Sequence, residues 1–276
     1  MKIQDSWVKN SLGYDSSLYI YQDKTMFNYS VDTILLANLA TLNRKTKNVL
    51  EIGTNNAALS IFLQQRSEDI KIDAIEIQKE AIDLAKYNLK INNLEKKINL
   101  IHDDFNKWWK NHTKKQGKKY DLIICNPPFF TKNSKSKKDI SKQMLIATHE
   151  IKLNLEQIIE GSSKIINQKG YLSLIIPPER LVDCFFVLKK YNWEPKRIIM
   201  IHPRIKQKAI LVFVESRFNT GQGVHFEPNI YLHPETKNKH EYLEEVKKLY
   251  KPIKIKRLWK KRLRIRQWTE TKWRTK

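Results

Sequence analysis

Cysteine and glycine are scarce in this chain, and long apolar runs are missing from it. Only two of the 276 residues are cysteines, Cys125 and Cys184, and both lie among apolar neighbours. Such a pair gives neither a disulfide framework nor a metal cluster, so we expect no metal and a reducing, cytoplasmic setting. No apolar run approaches the roughly 20 residues of a membrane helix, and the N-terminus lacks the layout of a secretory signal. We therefore expect no membrane contact.

Acidic residues are also few relative to basic ones. Lysine and arginine number 52 and aspartate and glutamate 29, which gives a formal net charge of +23. This excess favours a polyanionic partner such as nucleic acid, although a lysine-rich composition across a genome would have the same effect. The distribution of charge is therefore more informative than its sum, and residues 247–276 alone hold fourteen basic side chains and one acidic one.

The hydrophobic pattern between residues 49 and 215 alternates between two periods. Short β-rich runs predict strands, and apolar residues three or four apart predict helices. The predicted strands are residues 49–52, 70–77, 97–101, 120–125, 171–176, 195–202 and 208–215. The predicted helices are residues 56–65, 78–93, 153–167 and 179–191. This alternation indicates an α/β fold with a mostly parallel sheet covered on both faces, and the last two strands indicate an antiparallel hairpin at one edge.

The tetrapeptide Asn126-Pro127-Pro128-Phe129 follows the fourth predicted strand directly. The Asn126 side chain and the Pro127 carbonyl can each accept a hydrogen bond from an amino group. The prolines stiffen the turn, and Phe129 supplies a face on which a flipped-out base can stack. These features suit methyl transfer to the nitrogen of a planar amine or amide. An ordinary strand-ending turn is the alternative, because Asn-Pro and Pro-Pro are common turn formers.

Acidic residues lie at the ends of three successive predicted strands. Glu51 precedes Gly53 at the first strand end, Glu76 ends the second strand, and Asp104 follows the third. Ligands of such sheets bind beyond the carboxyl ends of the strands, where Glu76 can accept hydrogen bonds from ribose hydroxyls and Asp104 one from an adenine amino group. The pattern predicts nucleoside binding. The alternative for Asp104 is that it caps a helix from Asn106.

These motifs resemble the class I S-adenosylmethionine-dependent methyltransferases, and among them the bacterial tRNA methyltransferases that act on N6 of adenine 37 next to the anticodon. The resemblance extends from about residue 21 to residue 233. It includes residues 22–37, 51–53, 76–78, 104–105, 126–129, 147–150, 177–181 and 202–204. It implies a Rossmann-like domain with a seven-stranded, mostly parallel sheet, S-adenosylmethionine as cofactor and tRNA as substrate.

The resemblance also implies roles for particular residues. The implied catalytic residues are Asn126, Pro127, Pro128 and Phe129. The implied cofactor-binding residues are Gln22, Phe27, Glu51, Gly53, Asn55, Glu76, Ile77, Asp104, Phe105 and Asn126.

The loop after the first predicted strand departs from the family pattern. Similar proteins usually have Gly-x-Gly-x-Gly there, whereas Asn55 and Ala57 occupy the later glycine positions in this chain. Asparagine tolerates left-handed backbone angles better than most residues, so Asn55 or Asn56 can partly replace glycine. One expected consequence is weaker cofactor affinity, and the extreme one is a protein that no longer binds the cofactor.

Two basic segments flank the predicted site, at residues 131–142 and 247–276. The second also carries aromatic residues, which suits an arm that follows an RNA backbone and stacks on bases; a disordered tail with non-specific affinity is the alternative. The predicted RNA-binding residues are Lys132, Lys135, Lys137, Lys138, Arg204, Lys260, Lys261, Arg262, Arg264 and Arg266. We divide the chain into an N-terminal segment that contributes to the site (1–45), a methyltransferase domain (46–245) and a basic RNA-binding extension (246–276).

Four functions remain compatible with the sequence. The first is N6-methylation of tRNA adenine by direct displacement, in a monomeric enzyme. The second is methylation of a glutamine side chain in a protein, and the third is methylation of an rRNA or DNA base. The fourth is RNA binding without catalysis. A protein with this function would not bind the cofactor, which would distinguish it from the first three. The charge and the short segment before the first predicted strand favour the first function over the second.

Overall fold

One large sheet with helices on both faces forms the core of the protein. The computed structural model describes residues 5–13, 17–26, 28–127, 153–236 and 241–255. The strands are β1 Trp7–Ser11, β2 Tyr19–Asp23, β3 Asn48–Ile52, β4 Lys71–Glu76, β5 Ile98–His102, β6 Tyr120–Cys125, β7 Ile166–Ile176, β8 Trp193–His202, β9 Leu211–Phe218, β10 His225–Phe226 and β11 Ile230–Tyr231. The helices are α1 Val31–Leu39, α2 Ala58–Gln64, α3 Lys79–Ile91, α4 Phe105–Lys114, α5 Leu155–Ile165, α6 Leu181–Lys190 and α7 Glu244–Leu249, with a 3-10 turn at Pro178–Arg180.

The order of the strands confirms the predicted α/β architecture. Along the sheet the order is β10-β8-β9-β7-β6-β3-β4-β5, and β11 also pairs with β8. Strands β3 to β7 are parallel to one another, β9 is antiparallel to β7, and β8 is antiparallel to β9. Among the described residues the sheet has nine strands, so the expected total of seven is wrong; β10 and β11 are the two additional strands. These two strands have two residues each, too few to show an alternating pattern in the sequence.

Alternate residues of each central strand enter two different apolar clusters. In β3, Val49 packs with α1, α2 and α3 on one face, and Leu50 packs with α4, α5 and α6 on the other. Burial on both faces explains why the central strands read as continuous apolar runs rather than as alternating ones. It also leaves the two ends of the sheet as the places where polar residues can meet a ligand.

The boundary between α5 and β7 differs from the prediction. The helix ends at Ile165 and the strand begins at once with Ile166, whereas the pattern indicated a helix to residue 167 and a strand from residue 171. Ile166 is buried and pairs with Tyr120, and the Asn167 side chain donates to Asp121 at 2.8 Å. Pairing with β6 therefore overrides the local helical pattern.

An N-terminal hairpin of β1 and β2 packs beside the main domain, and the sequence pattern did not predict it. Asn88 of α3 accepts a hydrogen bond from the Tyr21 N–H at 2.6 Å and donates to the Tyr21 carbonyl at 2.9 Å. The amide nitrogen of Asn88 also donates a hydrogen bond to the Asn56 carbonyl, at 2.9 Å. Asn92, one helical turn later, bonds both backbone groups of Tyr19 in the same way. These side chains fix the hairpin to α3.

The chain after α7 packs on the domain as far as residue 255. Val246 and Tyr250 are 1% and 9% exposed and belong to the core. The side chain of Asn38 accepts the Ile253 N–H at 2.9 Å, and the Ile255 N–H donates to the Arg66 carbonyl at 2.9 Å. Part of the predicted extension 246–276 is thus anchored near the amino ends of the parallel strands. Residues 256–276 lie outside the described residues.

Candidate active site

The sheet brings the predicted site residues together at the carboxyl ends of its parallel strands. Ile52 lies opposite Cys125 in the β3–β6 ladder, so Gly53 and Asn126 follow neighbouring strands. Strand β4 lies on the other side of β3 and delivers Glu76 to the same edge, with β5 beyond it. Gly53, Glu76 and Asn126 therefore lie at one edge of the sheet although they are far apart in the sequence.

The β3–α2 loop (residues 53–57) keeps a glycine-loop backbone with a single glycine. Gly53, Asn55 and Ala57 have φ values of 74°, 50° and 65°, so every second residue is in the left-handed region. A Cβ built on Gly53 would meet no atom within 4 Å, so the loop backbone faces open space there. The left-handed conformation costs a residue such as alanine roughly 1–2 kcal/mol. Asn55 does replace glycine as expected, and Ala57 carries the larger strain.

Glu51 fixes this loop from inside the protein. Its side chain is 3% exposed, and it accepts hydrogen bonds from the hydroxyls of Thr54, at 2.8 Å, and Ser60. Burial raises the pKa of Glu51 from its usual 4.5 to about 7, with a further increase from the charge of Glu76, while the two hydroxyls act in the opposite direction. These contacts give Glu51 a structural role, and its direct contact with a cofactor remains a prediction.

Glu76 connects three backbone groups and keeps one acceptor position open. Its Oε1 accepts the N–H groups of Ile77 and Gln78 at 2.9 Å, and its Oε2 accepts the Asn55 N–H at 3.0 Å. Burial raises the pKa of Glu76, and these backbone donors oppose that shift. A carboxylate offers about four lone-pair positions, so Oε2 can accept one further hydrogen bond. That position suits one ribose hydroxyl rather than two.

Asp104 and Phe105 begin α4 in the way the alternative interpretation predicted. Asp104 accepts the Asn106 N–H at 2.8 Å, which makes it the N-cap of the helix. The Phe105 ring is 4% exposed, and a Cβ on Gly161 of α5 would lie 2.6 Å from it. The ring therefore belongs to the core, which leaves only the backbone of Phe105 available to a ligand.

Asn126 presents an unpartnered acceptor beside the β3–α2 loop. Its amide nitrogen donates to Asp32 Oδ2 at 3.0 Å, and because a carboxylate only accepts, the nitrogen is the end that faces Asp32. The amide oxygen of Asn126 is buried and has no hydrogen-bond partner among the residues that the structure describes. An unsatisfied buried acceptor costs about 1–3 kcal/mol, which points to a ligand that supplies the missing donor.

Asp32 is the partner of Asn126 that the sequence assignment did not name as a site residue. It is 3% exposed and lies in the first turn of α1, 94 positions before Asn126. It fell within the resembling segment 22–37, but no local pattern marked it as a site residue. Gln22 supports this region indirectly, because its side chain accepts the Tyr29 N–H at 2.9 Å and so fixes the approach to α1.

The remaining predicted residues divide into a described group, Pro127 and Arg204, and a group that is not described; Pro127 is buried directly after Asn126. Arg204 is 8% exposed and donates to the Pro234 carbonyl at 3.2 Å, so it stabilises a loop, and its contact with RNA stays a prediction. The other group lies outside the described residues: Phe27, Pro128, Phe129, Lys132, Lys135, Lys137, Lys138, Lys260, Lys261, Arg262, Arg264 and Arg266. Within the five described ranges, no three His, Cys, Asp or Glu side chains come close enough to hold a metal, and no helix could span a membrane.

Comparison with known proteins gives a family and several relatives. Residues 20–180 match the family described as Methyltransferase small domain. The tRNA1(Val) (adenine(37)-N6)-methyltransferase of Christiangramia forsetii is 27% identical over 237 residues, which cover 86% of this chain and 95% of that protein. The protein of the same name from Flavobacterium psychrophilum is 27% identical over 208 residues, covering 74% and 86% of the two chains.

Solved structures with the same fold are also methyltransferases by description. A predicted O-methyltransferase from Agrobacterium tumefaciens has a TM-score of 0.64 at 19% identity, covering 81% of this chain and 97% of the other. The methyltransferase subunit of a type I restriction-modification system from Streptococcus thermophilus has a TM-score of 0.59 at 13% identity, covering 81% and 52%. At these identities the similarity establishes the Rossmann-like fold alone.

Proposed function

The chain belongs to the methyltransferase small domain family, and from that premise we propose that it transfers the methyl group of S-adenosylmethionine to N6 of adenine 37 in tRNA, as a monomer in the cytoplasm. The names of the relatives from Christiangramia and Flavobacterium support the substrate. The observation that carries the proposal is the buried amide oxygen of Asn126, which lacks a donor among the described residues. An exocyclic amino group is the kind of ligand that supplies one.

The residues at the site fit S-adenosylmethionine. The open space in front of Gly53 lets a ligand approach the backbone, and the free acceptor position of Glu76 suits a ribose hydroxyl. The cap at Asp104 uses only its Oδ1, so its other carboxylate oxygen suits an adenine amino group. When bound, the cofactor supplies an electrophilic methyl group on a sulfonium.

Asn126 and Pro127 would act on the adenine amino group. The lone pair of that nitrogen is delocalised into the ring, which makes it a poor nucleophile. Two acceptors, the Asn126 side chain and the Pro127 carbonyl, would hold its hydrogens and draw the nitrogen towards tetrahedral geometry, and they favour the positive charge that develops there. The N6 proton becomes acidic once the methyl group is attached, so no general base is required.

The β8–β9 loop (residues 203–210) supports RNA as the partner. It lies at the same edge of the sheet as Asn126, three strand positions away, which corresponds to about 14 Å. Lys206 and Lys208 are exposed there, and Lys206 pairs with Glu235. In the described part of the chain Lys208 has no ion pair, which leaves its charge available to a phosphate that flanks the target base.

Lys208→Gln tests this contact by the salt dependence of tRNA binding. Losing one phosphate contact should make the slope of log Kobs against log salt shallower by about 0.7–0.9. Lys119→Gln is the matched control, because Lys119 is exposed at the opposite end of the sheet, before β6. Equal slopes for the two variants would remove the β8–β9 loop from the interface.

The function itself is tested by incubating the purified protein with labelled S-adenosylmethionine and unmodified tRNA, followed by nucleoside mass spectrometry. We expect N6-methyladenosine, and its loss when adenine 37 is replaced by guanine. Asn126→Ala should abolish the product while the tRNA dissociation constant changes little. Product from rRNA or DNA in place of tRNA, or labelled glutamine in a protein substrate, would contradict the assigned substrate. Absence of both product and cofactor binding would contradict the enzymatic function.

A further inference from the structure

The Asp32 carboxylate accepts hydrogen bonds from three donors, one of which is the Asn126 amide. Its Oδ1 accepts the Thr33 N–H at 2.7 Å and the Ser30 hydroxyl, and its Oδ2 accepts the Asn126 amide nitrogen at 3.0 Å. The carboxylate is 3% exposed, so water does not compete strongly for these positions. The proposed methyl transfer does not by itself require any acidic side chain at this place.

An asparagine side chain can be placed in two ways that have almost the same shape. Turning the amide of Asn126 by 180° exchanges an acceptor for a donor at the site. In the turned orientation its oxygen would face the oxygen of Asp32 across about 3 Å, where two acceptors repel each other. The Asp32 carboxylate therefore selects one orientation, in which the oxygen of Asn126 is left for the ligand.

We propose that Asp32 is a positioning residue, which orients the Asn126 amide so that its oxygen, and not its nitrogen, meets the amino group to be methylated. This inference rests on the proposed function. A turned amide would set its own N–H groups against those of the adenine amine, and the nucleophile would lose an acceptor. The charge-assisted hydrogen bond that Asn126 donates to Asp32 also polarises the amide, which strengthens its oxygen as an acceptor.

For the substitution Asp32→Asn, a positioning role and a purely structural role predict opposite results. The backbone N–H of Thr33 can only donate, so the new side chain must keep its oxygen at the Oδ1 position. Its NH2 then faces Asn126 and forces that amide to turn. We expect kcat to fall by about 100-fold or more, as when one preorganised group of a catalytic site is lost.

Asp32→Ala should be less harmful than Asp32→Asn. With alanine, no group dictates the orientation of Asn126, and the productive one remains accessible, so we expect a loss in kcat of about 10-fold. A role in packing alone predicts the reverse order, because asparagine has nearly the shape of aspartate. A kcat for Asp32→Asn that equals or exceeds that of Asp32→Ala would overturn the positioning role.

The exchange of the two side chains offers a rescue. In the double variant Asp32→Asn with Asn126→Asp, the amide at position 32 donates to a carboxylate at position 126, whose other oxygen faces the ligand. We expect at least a 10-fold recovery of kcat over Asp32→Asn alone, and no rescue would count against the inference. The single variant Asn126→Asp brings two carboxylates within about 3 Å of each other. We expect it to be less active than the single variant Asp32→Asn.

Three further readouts separate positioning from folding and from the function itself. The melting temperature should be similar in the two Asp32 variants. Their dissociation constants for S-adenosylmethionine and tRNA should differ by less than 3-fold. Asp73→Asn is the matched control, since Asp73 lies in the middle of β4, is 6% exposed and accepts from Tyr120 at 2.6 Å and from Asn99 at 3.0 Å. It should lower stability without the loss in kcat. Wild-type protein without product would overturn the proposed function; product with the wrong order of variants would overturn only the role of Asp32.

Discussion

At the scale of single residues, the β3–α2 loop keeps its path although it has lost two glycines. Asn55 and Ala57 remain left-handed because Glu76 holds the Asn55 N–H and Glu51 holds Thr54 and Ser60. The hydrogen bonds to the buried carboxylates thus hold the strained backbone of this loop in place. Gly53, the glycine that remains, is the one that faces open space.

Gly53→Ala should therefore impair both stability and cofactor binding. Its φ of +74° is costly for alanine, so we expect the free energy of unfolding to fall by about 1–2 kcal/mol. The added methyl group also enters the space that a cofactor would use, and calorimetry should show weaker binding of S-adenosylmethionine. Gly223→Ala is the matched control, because its φ is +125° and its Cβ would also meet nothing within 4 Å. Equal cofactor affinity in both variants would mean that no ligand approaches Gly53.

Glu51 should make the stability of the protein depend on pH. Its pKa is raised from 4.5 to about 7 by burial, so the folded state retains a proton that the unfolded state releases. The corresponding stability is present below pH 4.5 and is lost as pH rises to about 7, by about 3 kcal/mol at most. Denaturant unfolding between pH 5 and pH 8 should show this decline in the wild type and a flatter profile in Glu51→Gln. Parallel profiles would refute the assignment to Glu51.

At the scale of elements, α3 couples the N-terminal hairpin to the β3–α2 loop. Asn88 is fully buried, and its single amide serves the backbone of Tyr21 and of Asn56. The hairpin and the loop come from distant parts of the chain, yet both are hydrogen-bonded to the same side chain of α3. The hairpin leads in turn to α1 and Asp32, whose carboxylate accepts a hydrogen bond from Asn126.

Asn88→Ala should loosen the hairpin and the loop together. Three backbone groups lose their partner, one in a buried hydrogen bond and two in partly buried ones. We therefore expect a loss in stability of about 2–4 kcal/mol and weaker binding of S-adenosylmethionine. Asn92→Ala is the control, because Asn92 bonds Tyr19 but makes no contact with the loop. It should cost less stability and leave cofactor affinity unchanged. Urea unfolding and calorimetry on both variants decide the point, and equal effects would argue against the coupling.

At the scale of the whole molecule, positive charge extends well beyond the site. Residues 247–276 carry fourteen basic side chains, and the described part of this segment ends at residue 255, near the turn that follows α2. That turn lies at the end of the sheet opposite to Asn126. Any RNA contact by residues 256–276 would therefore start away from the target base and concern another part of the tRNA.

Deletion of residues 256–276 should weaken tRNA binding and flatten its salt dependence, because several phosphate contacts are lost. Cofactor affinity and the melting temperature should not change, since the cut leaves Val246, Tyr250 and the Ile255–Arg66 hydrogen bond in place. A deletion from residue 247 is the informative contrast, as it removes Tyr250 and Ile255 and should lower stability. An unaltered salt slope after the shorter deletion would show that these residues are not an RNA arm.

The sequence by itself determined the features that depend on near neighbours. Apolar periodicity predicted the seven long strands of the sheet and the helices α2, α3, α5 and α6, but not α1, α4 or α7. The cap at Asp104 was foreseen as the alternative role of that residue. The resemblance of Asn126–Phe129 and Glu76 to family motifs gave the reaction class. Each of these signals is carried by residues a few positions apart, so it survives without knowledge of the fold.

The tertiary structure alone decided how distant residues share their hydrogen bonds. Asp32 and Asn126 are separated by 94 positions, and only the packing of α1 against the sheet makes them partners. Likewise, the Glu51 side chain points inward to Thr54 and Ser60, and Ala57 has a left-handed backbone conformation. No local sequence pattern predicts either feature. The sequence does not show whether a carboxylate caps a helix, fixes a loop or orients another side chain, because its role depends on the hydrogen-bond donors that folding brings to it.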